Sequence, residues 1–313
     1  MRFLFVDRGR ILDLLLTTAN KNKEHVHMQA VELLASYFTL AGDVYPFGPT
    51  EISPFSLRER AEAAGEAGYR GMGLIHADLL ANAQKIGFAS VRSILDDNGI
   101  RHRELEFLVD WYLDGSRRAA SDRFRHEIFH AAQAIGAQSI KIAPGLHDTR
   151  PADVDRMREA FVGVCEDAAR YGVNIVMEVM PFSNVSTLET ALAIVQGADQ
   201  ANGGLLLDTW HIARGGIAYA DIETIPAQFI KSIEIDDAAQ DVVGTLWEDT
   251  IYHRHLCGEG SLQPAKFIQA VLAAGYTGPF GVEILSETYR KLPLKDMARR
   301  SFDTSIAQFS FAP

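Results

Sequence analysis

Four acidic residues stand at or near the ends of apolar runs that have the length of buried β-strands. Glu178 ends VNIVME, Asp208 ends GGLLLD, Glu234 lies in SIEIDD and Glu283 lies in FGVE. Burying several carboxylates near one another is unfavourable unless a counter-charge is present. A divalent cation bound by oxygen ligands from separate strands supplies that charge. The four residues therefore predict a metal site.

Each acidic residue also has a simpler interpretation when it is taken singly. A carboxylate at a strand end is typical of the N-cap of the next helix, and Asp208 can cap a helix that starts at Thr209. Recurrence on four late strands favours a shared site over four separate caps.

Two further residues near these strands are predicted to bind substrate. His211 follows Asp208 by three residues and can reach a bound molecule, or it can be a polar residue of the rim. Arg254 lies in HRHLCGEG between His253 and His255. Alternating histidines can bind zinc, but a second His/Cys cluster at ligand spacing is missing from the sequence. An arginine that holds substrate oxygens is the preferred interpretation.

Another set of polar residues alternates along the third predicted strand. His102, Glu104 and Glu106 share one face of that strand, and Glu106 is the nearest of them to its end. A solvated or internally paired role for Glu106 is an equally good interpretation.

The elements that must position these side chains are short apolar runs alternating with amphipathic segments. Eight such strand–helix units favour one closed parallel (β/α)8 barrel in a single domain, with a doubly wound open sheet as the alternative. The carboxyl ends of barrel strands meet at one mouth, which would bring the four acidic residues together. The predicted strands are residues 32–40, 69–76, 101–108, 139–144, 173–180, 203–208, 229–236 and 280–285, and the predicted helices are residues 56–68, 123–137, 154–172, 187–198, 264–275 and 294–309.

Composition and charge restrict the classes of partner. The chain has 313 residues and a formal net charge of −11, which argues against nucleic acid as the main partner. No run reaches the ~18 apolar residues of a membrane span. Cys165 and Cys257 are the two cysteines, and reduced thiols in a cytoplasmic protein are expected. Residues 1–27 are interpreted as an N-terminal extension outside the core fold, which leaves residues 28–313 for the barrel.

With these residues in place, the chain resembles the xylose isomerase-like superfamily of TIM barrels, and within it the sugar phosphate isomerase/epimerase proteins. The matching pieces are MEVMPFSNVSTLETALAIV, NGGLLLDTWHIARGG, IEIDDA, RHLCGEGSL and GYTGPFGVEILSE. They are specific for the superfamily and poor guides to substrate, because the same scaffold hosts several chemistries.

The resemblance implies a divalent metal held by four strand-end side chains. Glu178, Asp208 and Glu283 match three of these ligands, while His211 and Arg254 match residues that contact substrate. The remaining ligand is usually histidine in the family, and here Glu234 takes its place. Either Glu234 binds the metal or it turns aside and water replaces it, and the first is expected. A shell of oxygen ligands alone favours Mn²⁺ or Mg²⁺ over Zn²⁺.

The reaction implied is removal of a proton next to a carbonyl, with Glu178 and Glu283 as the catalytic pair. The expected function is a metal-dependent isomerase or epimerase of a keto-sugar or related polyol. The alternatives are a dehydratase of the 3-dehydroshikimate type and a non-catalytic metal- or sugar-binding barrel. DNA repair is disfavoured by the acidic charge.

Substrate choice is expected to lie in loops after the first four strands, at residues 41–49, 76–87, 110–122 and 144–150. Arg117 and Arg118 can hold a phosphate or can be simply solvated, so a phosphorylated substrate is not indicated. A homodimer follows from the resemblance alone, and the residues leave the oligomeric state open.

Overall fold

Eight parallel strands close into a barrel in this computed structural model, which describes residues 31–148 and 150–310. Around the barrel the order is β1, β10, β7, β6, β5, β4, β3 and β2, so neighbours in sequence are neighbours in space. A separate two-stranded pair, β8 and β9, lies outside it. The strands are β1 Leu33–Ala35, β2 Gly71–Ile75, β3 His102–Leu108, β4 Ser139–Ile142, β5 Asn174–Glu178, β6 Gly203–Asp208, β7 Ile230–Ile235, β8 Asp237–Ala238, β9 Arg254–His255 and β10 Phe280–Val282.

The prediction of a single-domain (β/α)8 barrel is confirmed. Each predicted strand contains one barrel strand, and the predicted ranges are longer only at their ends. The run at 32–40 shows why, because β1 stops at Ala35 and a short 3-10 helix, Tyr37–Thr39, follows. Buried apolar residues continue there beyond the last residue that pairs with a neighbouring strand. Hydrophobicity alone therefore cannot mark where a strand ends.

Helices separate the strands, and several of them begin or end at residues with standard capping chemistry. Ser56 and Glu59 form a capping box, Pro264 occupies the first turn of its helix, and Gly68 and Gly136 end helices in the left-handed conformation. The helices are α1 Leu57–Ala67, α2 His76–Ile86, α3 Phe88–Asp97, α4 Gly115–Ile135, α5 Val154–Ala169, α6 Leu188–Ala198, α7 Thr209–Arg214, α8 Tyr219–Ile222, α9 Leu246–Tyr252, α10 Pro264–Ala273 and α11 Leu294–Ile306.

Two of the predicted loops are wrong. Residues 76–87 form helix α2 directly after β2, and α4 begins at Gly115, inside the predicted loop 110–122. In α2 the side chains of Asp78 and Leu79 are buried, which gives this polar-looking segment an inward face. The helix starts without a capping side chain, so its beginning carries no sequence signal.

The register of the strands brings the predicted site residues to one mouth of the barrel. Asp208 pairs with Glu234 across β6 and β7, and Glu234 pairs with Gly281 across β7 and β10. The predicted extension, residues 1–27, lies outside the described residues. None of the described helices combines the length and the apolar composition needed to cross a bilayer.

Candidate metal and substrate site

Three carboxylates meet at the mouth of the barrel. Glu178 ends β5, Asp208 ends β6 and Glu234 lies one residue before the end of β7. One oxygen from each residue can be chosen so that all three lie within 4.8 Å of one another, and all three residues are buried. This is the donor arrangement that strand-end carboxylates were predicted to form.

Asp208 performs two structural roles at this position. Its Oδ1 accepts a 2.8 Å hydrogen bond from the backbone N–H of His211, which caps α7 and places the imidazole beside the site. Its Oδ2 accepts a 2.7 Å bond from Arg254 Nη1. Burial opposes ionisation, but Arg254 and His211 hold the pKa of Asp208 below its ordinary value. The capping interpretation and the cluster interpretation are therefore both correct.

His211 connects the capped helix to the first carboxylate. Its Nε2 lies 3.1 Å from Glu178 Oε1 and 3.3 Å from Arg254 Nη2. Its Nδ1 is buried without a hydrogen-bond partner among the described residues. The imidazole thus has one nitrogen engaged with the cluster and one with unmet hydrogen-bonding capacity.

Glu234 is held by one oxygen and free at the other. Its Oε1 accepts hydrogen bonds from Ser36 Oγ and from Lys141 Nζ, while its Oε2 is buried with no partner in the part of the chain described. Burial raises the pKa of Glu234 to about 8 although Lys141 opposes the shift, and the neighbouring Glu178 carboxylate adds to it.

Glu283 lies beside the cluster but outside the set of three. Its Oε2 is 3.3 Å from Arg254 Nη1, and its Oε1 is 3.9 Å from Lys141 Nζ. Burial and the charge of Glu234 raise its pKa well above the ordinary value, against the opposing effect of the two cations. Its predicted roles as ligand and as proton carrier stay predictions.

Arg254 is buried among acceptors of the protein itself. Its Nη1 contacts Asp208, Asp236 and Glu283, and its Nη2 donates to Thr250 Oγ1 at 2.9 Å. The guanidinium also lines the pocket described below, so its predicted contact with substrate stays a prediction.

Sequence reasoning missed Lys141 and Asp236. Lys141 lies in β4 on the same face as Ser139, and Asp236 directly follows the last residue of β7. Both are fully buried. The alternation of strand side chains was the available signal, because a charged residue within a buried strand must find partners.

A pocket of about 240 Å³ opens beside the carboxylates. Its walls are mostly apolar, and Arg254 is the one lysine or arginine among the described residues that lines it. His76, the first residue of α2, also lines the pocket, and its Nε2 is buried without a partner in the described structure. The apolar walls include Phe38, Phe47, Ile75, Phe107, Val109, Phe124, Leu146, Met180, Phe182, Trp247, Ile251 and Leu285.

The remaining polar residues have partners within the protein. Glu106 is internally paired, with its Oε1 3.3 Å from Lys141 Nζ. Arg117 pairs with Asp110, and Arg118 with Asp122. Cys165 and Cys257 are both buried and free.

The residues at the mouth fit a divalent cation. The three close oxygens come from carboxylates, and the unpartnered Glu234 Oε2 is a buried acceptor that a cation would satisfy. Burial is the main cause of the raised pKa of Glu234, and the neighbouring carboxylates add to it although Lys141 opposes the shift.

A sequence model of the xylose isomerase-like TIM barrel family matches residues 61–307. The chain belongs to this family. The predicted resemblance is therefore confirmed at the level of family and fold.

Two curated relatives and one solved structure show what this family member is similar to. It is 27% identical over 247 residues to a 3-dehydroshikimate dehydratase of Pseudomonas aeruginosa, covering 77% of this chain and 38% of the relative. It is 28% identical over 144 residues to an inosose isomerase of Halalkalibacterium halodurans, covering 45% of this chain and 50% of that one. The structure of an IOLI protein with a bound zinc atom aligns with a TM-score of 0.75 at 19% identity, covering 89% and 98% of the two chains.

The chain thus spans half or less of the length of these curated relatives. The relatives are enzymes of two classes, an isomerase and a dehydratase. The solved structure supports the fold.

Proposed function

We propose that this family member is a metal-dependent isomerase or epimerase that removes the proton next to the carbonyl of a small polyhydroxylated ketone. The observation that carries the proposal is the convergence of Glu178, Asp208 and Glu234 within 4.8 Å, next to a pocket that Glu178, Glu283 and His211 line. That the metal is Mn²⁺ or Mg²⁺ and that the protein is cytoplasmic are parts of this proposal. Zinc belongs among the metals tested, since the IOLI protein binds it.

Glu178, Asp208 and Glu234 would hold the cation, with Glu283 as the fourth ligand. The bound cation would polarise the substrate carbonyl and stabilise the negative charge that develops on its oxygen. The chain's own residues then have to orient the substrate, accept a proton and return it.

The proton transfer falls to Glu178 and Glu283, two of the glutamates that line the pocket. One carboxylate takes the proton as the C–H bond breaks, and the bonding electrons form the C=C bond of an enolate. The other carboxyl group returns a proton to the opposite face for epimerisation, or to the neighbouring carbon for isomerisation. His211 hydrogen-bonds a substrate hydroxyl through Nδ1 while Nε2 holds Glu178.

The pocket lining supports an uncharged substrate. Arg254 is the single cation there among the described residues, and its guanidinium is already engaged by Asp208, Asp236 and Glu283. A phosphate group would meet several carboxylates and no unpaired cation from the described chain. The substrate class is therefore an unphosphorylated keto-sugar or cyclic polyol ketone.

Deuterium exchange tests the proposal without knowing the substrate. The protein is incubated in D₂O with Mn²⁺, Mg²⁺ or Zn²⁺ and a panel of keto-sugars and cyclic polyol ketones. We expect uptake at the carbon next to the carbonyl, and its loss in Glu178→Gln and Glu283→Gln. Glu189→Gln, an exposed glutamate in the first turn of α6, is the matched control and should exchange normally. Metal binding without exchange on any ketone would instead support the non-catalytic barrel.

Dehydration is the second candidate function, favoured by one observation. The match to the dehydratase spans 77% of the chain, against 45% for the match to the isomerase. The same proton removal would be followed by loss of a β-hydroxyl as water instead of reprotonation. An ultraviolet-absorbing conjugated product from 3-dehydroshikimate would identify it, and its absence with exchange intact would exclude that substrate.

A further inference from the structure

We propose that Lys141 is a positioning residue that forms a charge-compensated pair with Glu234 and thereby limits how tightly the carboxylate cluster holds its metal. This inference rests on the metal site of the proposed function but not on its substrate. Its consequence is that removal of the lysine strengthens metal binding and weakens turnover.

The contacts of Lys141 are all with carboxylates of the barrel lumen. Its Nζ lies 2.5 Å from Glu234 Oε1, 3.3 Å from Glu106 Oε1 and 3.9 Å from Glu283 Oε1. The ammonium group therefore lies buried among three carboxylates beside the cluster.

The pair also decides which oxygen of Glu234 is available. Lys141 and Ser36 both engage Oε1, so Oε2 is left free and buried. Gly281 makes room for this arrangement, because a Cβ there would lie 2.8 Å from Glu234 Cγ and 3.2 Å from Ser36 Oγ. Glu234 is therefore presented to an ion through one oxygen in a fixed orientation.

At this mouth the carboxylates outnumber the two buried cations that contact them. Arg254 contacts Asp208, Asp236 and Glu283, and Lys141 contacts Glu234, Glu106 and Glu283. Without Lys141 the site would be more negative by one unit, and Glu234 Oε1 would keep only the hydrogen bond from Ser36, which leaves it able to bind the ion as well. Both changes favour tighter binding of a dication, and both lower its ability to withdraw charge from a substrate oxygen.

Calorimetric titration of Mn²⁺ into the metal-free full chain tests this. We expect the Kd of Lys141→Met to fall about tenfold below that of the unaltered protein, since a unit charge is removed at contact distance from a ligand. If Lys141 only supported the packing, its replacement would disorder the metal ligands and the Kd would rise instead. Lys231→Met is the matched control, since Lys231 lies on β7 and bonds the backbone of Ala201 instead of a carboxylate.

A second pair of variants keeps the test decisive if Lys141→Met does not fold. Glu234→Gln alone leaves Lys141 facing the ion, whereas the double variant Lys141→Met/Glu234→Gln removes the pair as a unit. We expect the double variant to bind Mn²⁺ more tightly than Glu234→Gln. Equal or weaker Mn²⁺ binding in the double variant than in Glu234→Gln would overturn the proposal. So would Mn²⁺ binding by Lys141→Met that is no tighter than that of the unaltered protein.

The two proposals fail in different ways. A protein that binds no divalent cation would overturn both the compensated pair and the proposed metal site. Missing deuterium exchange, with the Mn²⁺ response of the lysine variants as expected, would overturn the proposed function and leave the role of Lys141 supported.

Discussion

His211 Nε2 lies 3.1 Å from Glu178 Oε1, so the residue predicted to orient substrate also holds the residue predicted to move the proton. The backbone N–H of the same histidine bonds Asp208, which fixes the start of α7 relative to the strand end. Cap, imidazole and carboxylate are thus one connected unit, although they come from two strands.

Replacing the imidazole should affect catalysis far more than metal binding. His211→Phe keeps the backbone bond to Asp208 but leaves Glu178 without its partner and the substrate without a hydrogen bond. We expect kcat for exchange to fall about 100-fold, within the range for loss of an acid–base or orienting group, and the Kd for Mn²⁺ to stay within about threefold. Equal loss of metal affinity and rate would show that His211 supports the metal site instead.

Asp249 is a buried residue of α9 outside the carboxylate cluster, and it connects α9 to α7 and to the segment before α9. Asp249 accepts hydrogen bonds from Trp210 Nε1 and Arg214 Nε, both at 2.9 Å, and from the backbone of Val243 at 2.8 Å. Asp249→Ala leaves Arg214 without its buried partner, so we expect the free energy of unfolding to fall by about 3 kcal/mol. Chemical denaturation measures it. Asp249→Asn is the conservative comparison and should lose less, and a loss below about 1 kcal/mol in the alanine variant would contradict this.

The metal-free protein should lose stability as pH rises through neutrality. Burial raises the pKa of Glu234 from an ordinary 4.5 to about 8, so the folded state retains a proton that the unfolded chain releases. The stability from this group is complete below pH 4.5 and is lost as pH rises towards and through 8. Since Glu234→Gln does not titrate, the melting temperature of the unaltered protein relative to this variant should fall from pH 5 to pH 8.

Mn²⁺ supplies the control for that measurement. The cation binds the deprotonated carboxylate, so its stabilising effect should increase with pH over the same interval. Scanning calorimetry with a chelator and with Mn²⁺ at pH 5, 6.5 and 8 separates the two trends. If, in the chelator, the melting temperature of the unaltered protein instead rises relative to that of Glu234→Gln from pH 5 to pH 8, the assignment is contradicted.

The barrel and its strand-end acids were predictable because buried parallel strands are continuous apolar runs that end where polar residues begin. Glu178 and Asp208 follow that rule, whereas Glu234 lies within the run SIEIDD and its choice as a ligand followed from the family resemblance. The partners of the buried cations were not predictable, since Arg254 and Asp208 are 46 positions apart and Lys141 and Glu234 are 93 positions apart. Only the closure of the barrel brings them together, and sequence patterns do not report which charges then pair.

His76 opens residues 76–87, which were predicted to be a loop that selects substrate, but it was not singled out as a site residue. It begins α2 directly after β2, with no capping residue to mark the boundary, so the segment resembled a loop. In the closed barrel β2 lies opposite β6, which places His76 across the pocket from Asp208 and His211. Tertiary structure, not local pattern, makes it a candidate for substrate recognition.

Replacing His76 with phenylalanine should therefore weaken substrate binding without harming the fold. Burial lowers the pKa of His76, so the ring is neutral at pH 7 and offers one donor and one acceptor. Because its Nε2 has no partner in the described structure, an apolar ring of similar shape removes an unsatisfied group and should leave the melting temperature unchanged or higher. We expect KM to rise about tenfold, the cost of one lost hydrogen bond to substrate, with a smaller change in kcat and an unchanged Kd for Mn²⁺. His130→Phe, on the exposed side of α4, is the matched control, and a KM for His76→Phe equal to that of the control would exclude a substrate contact.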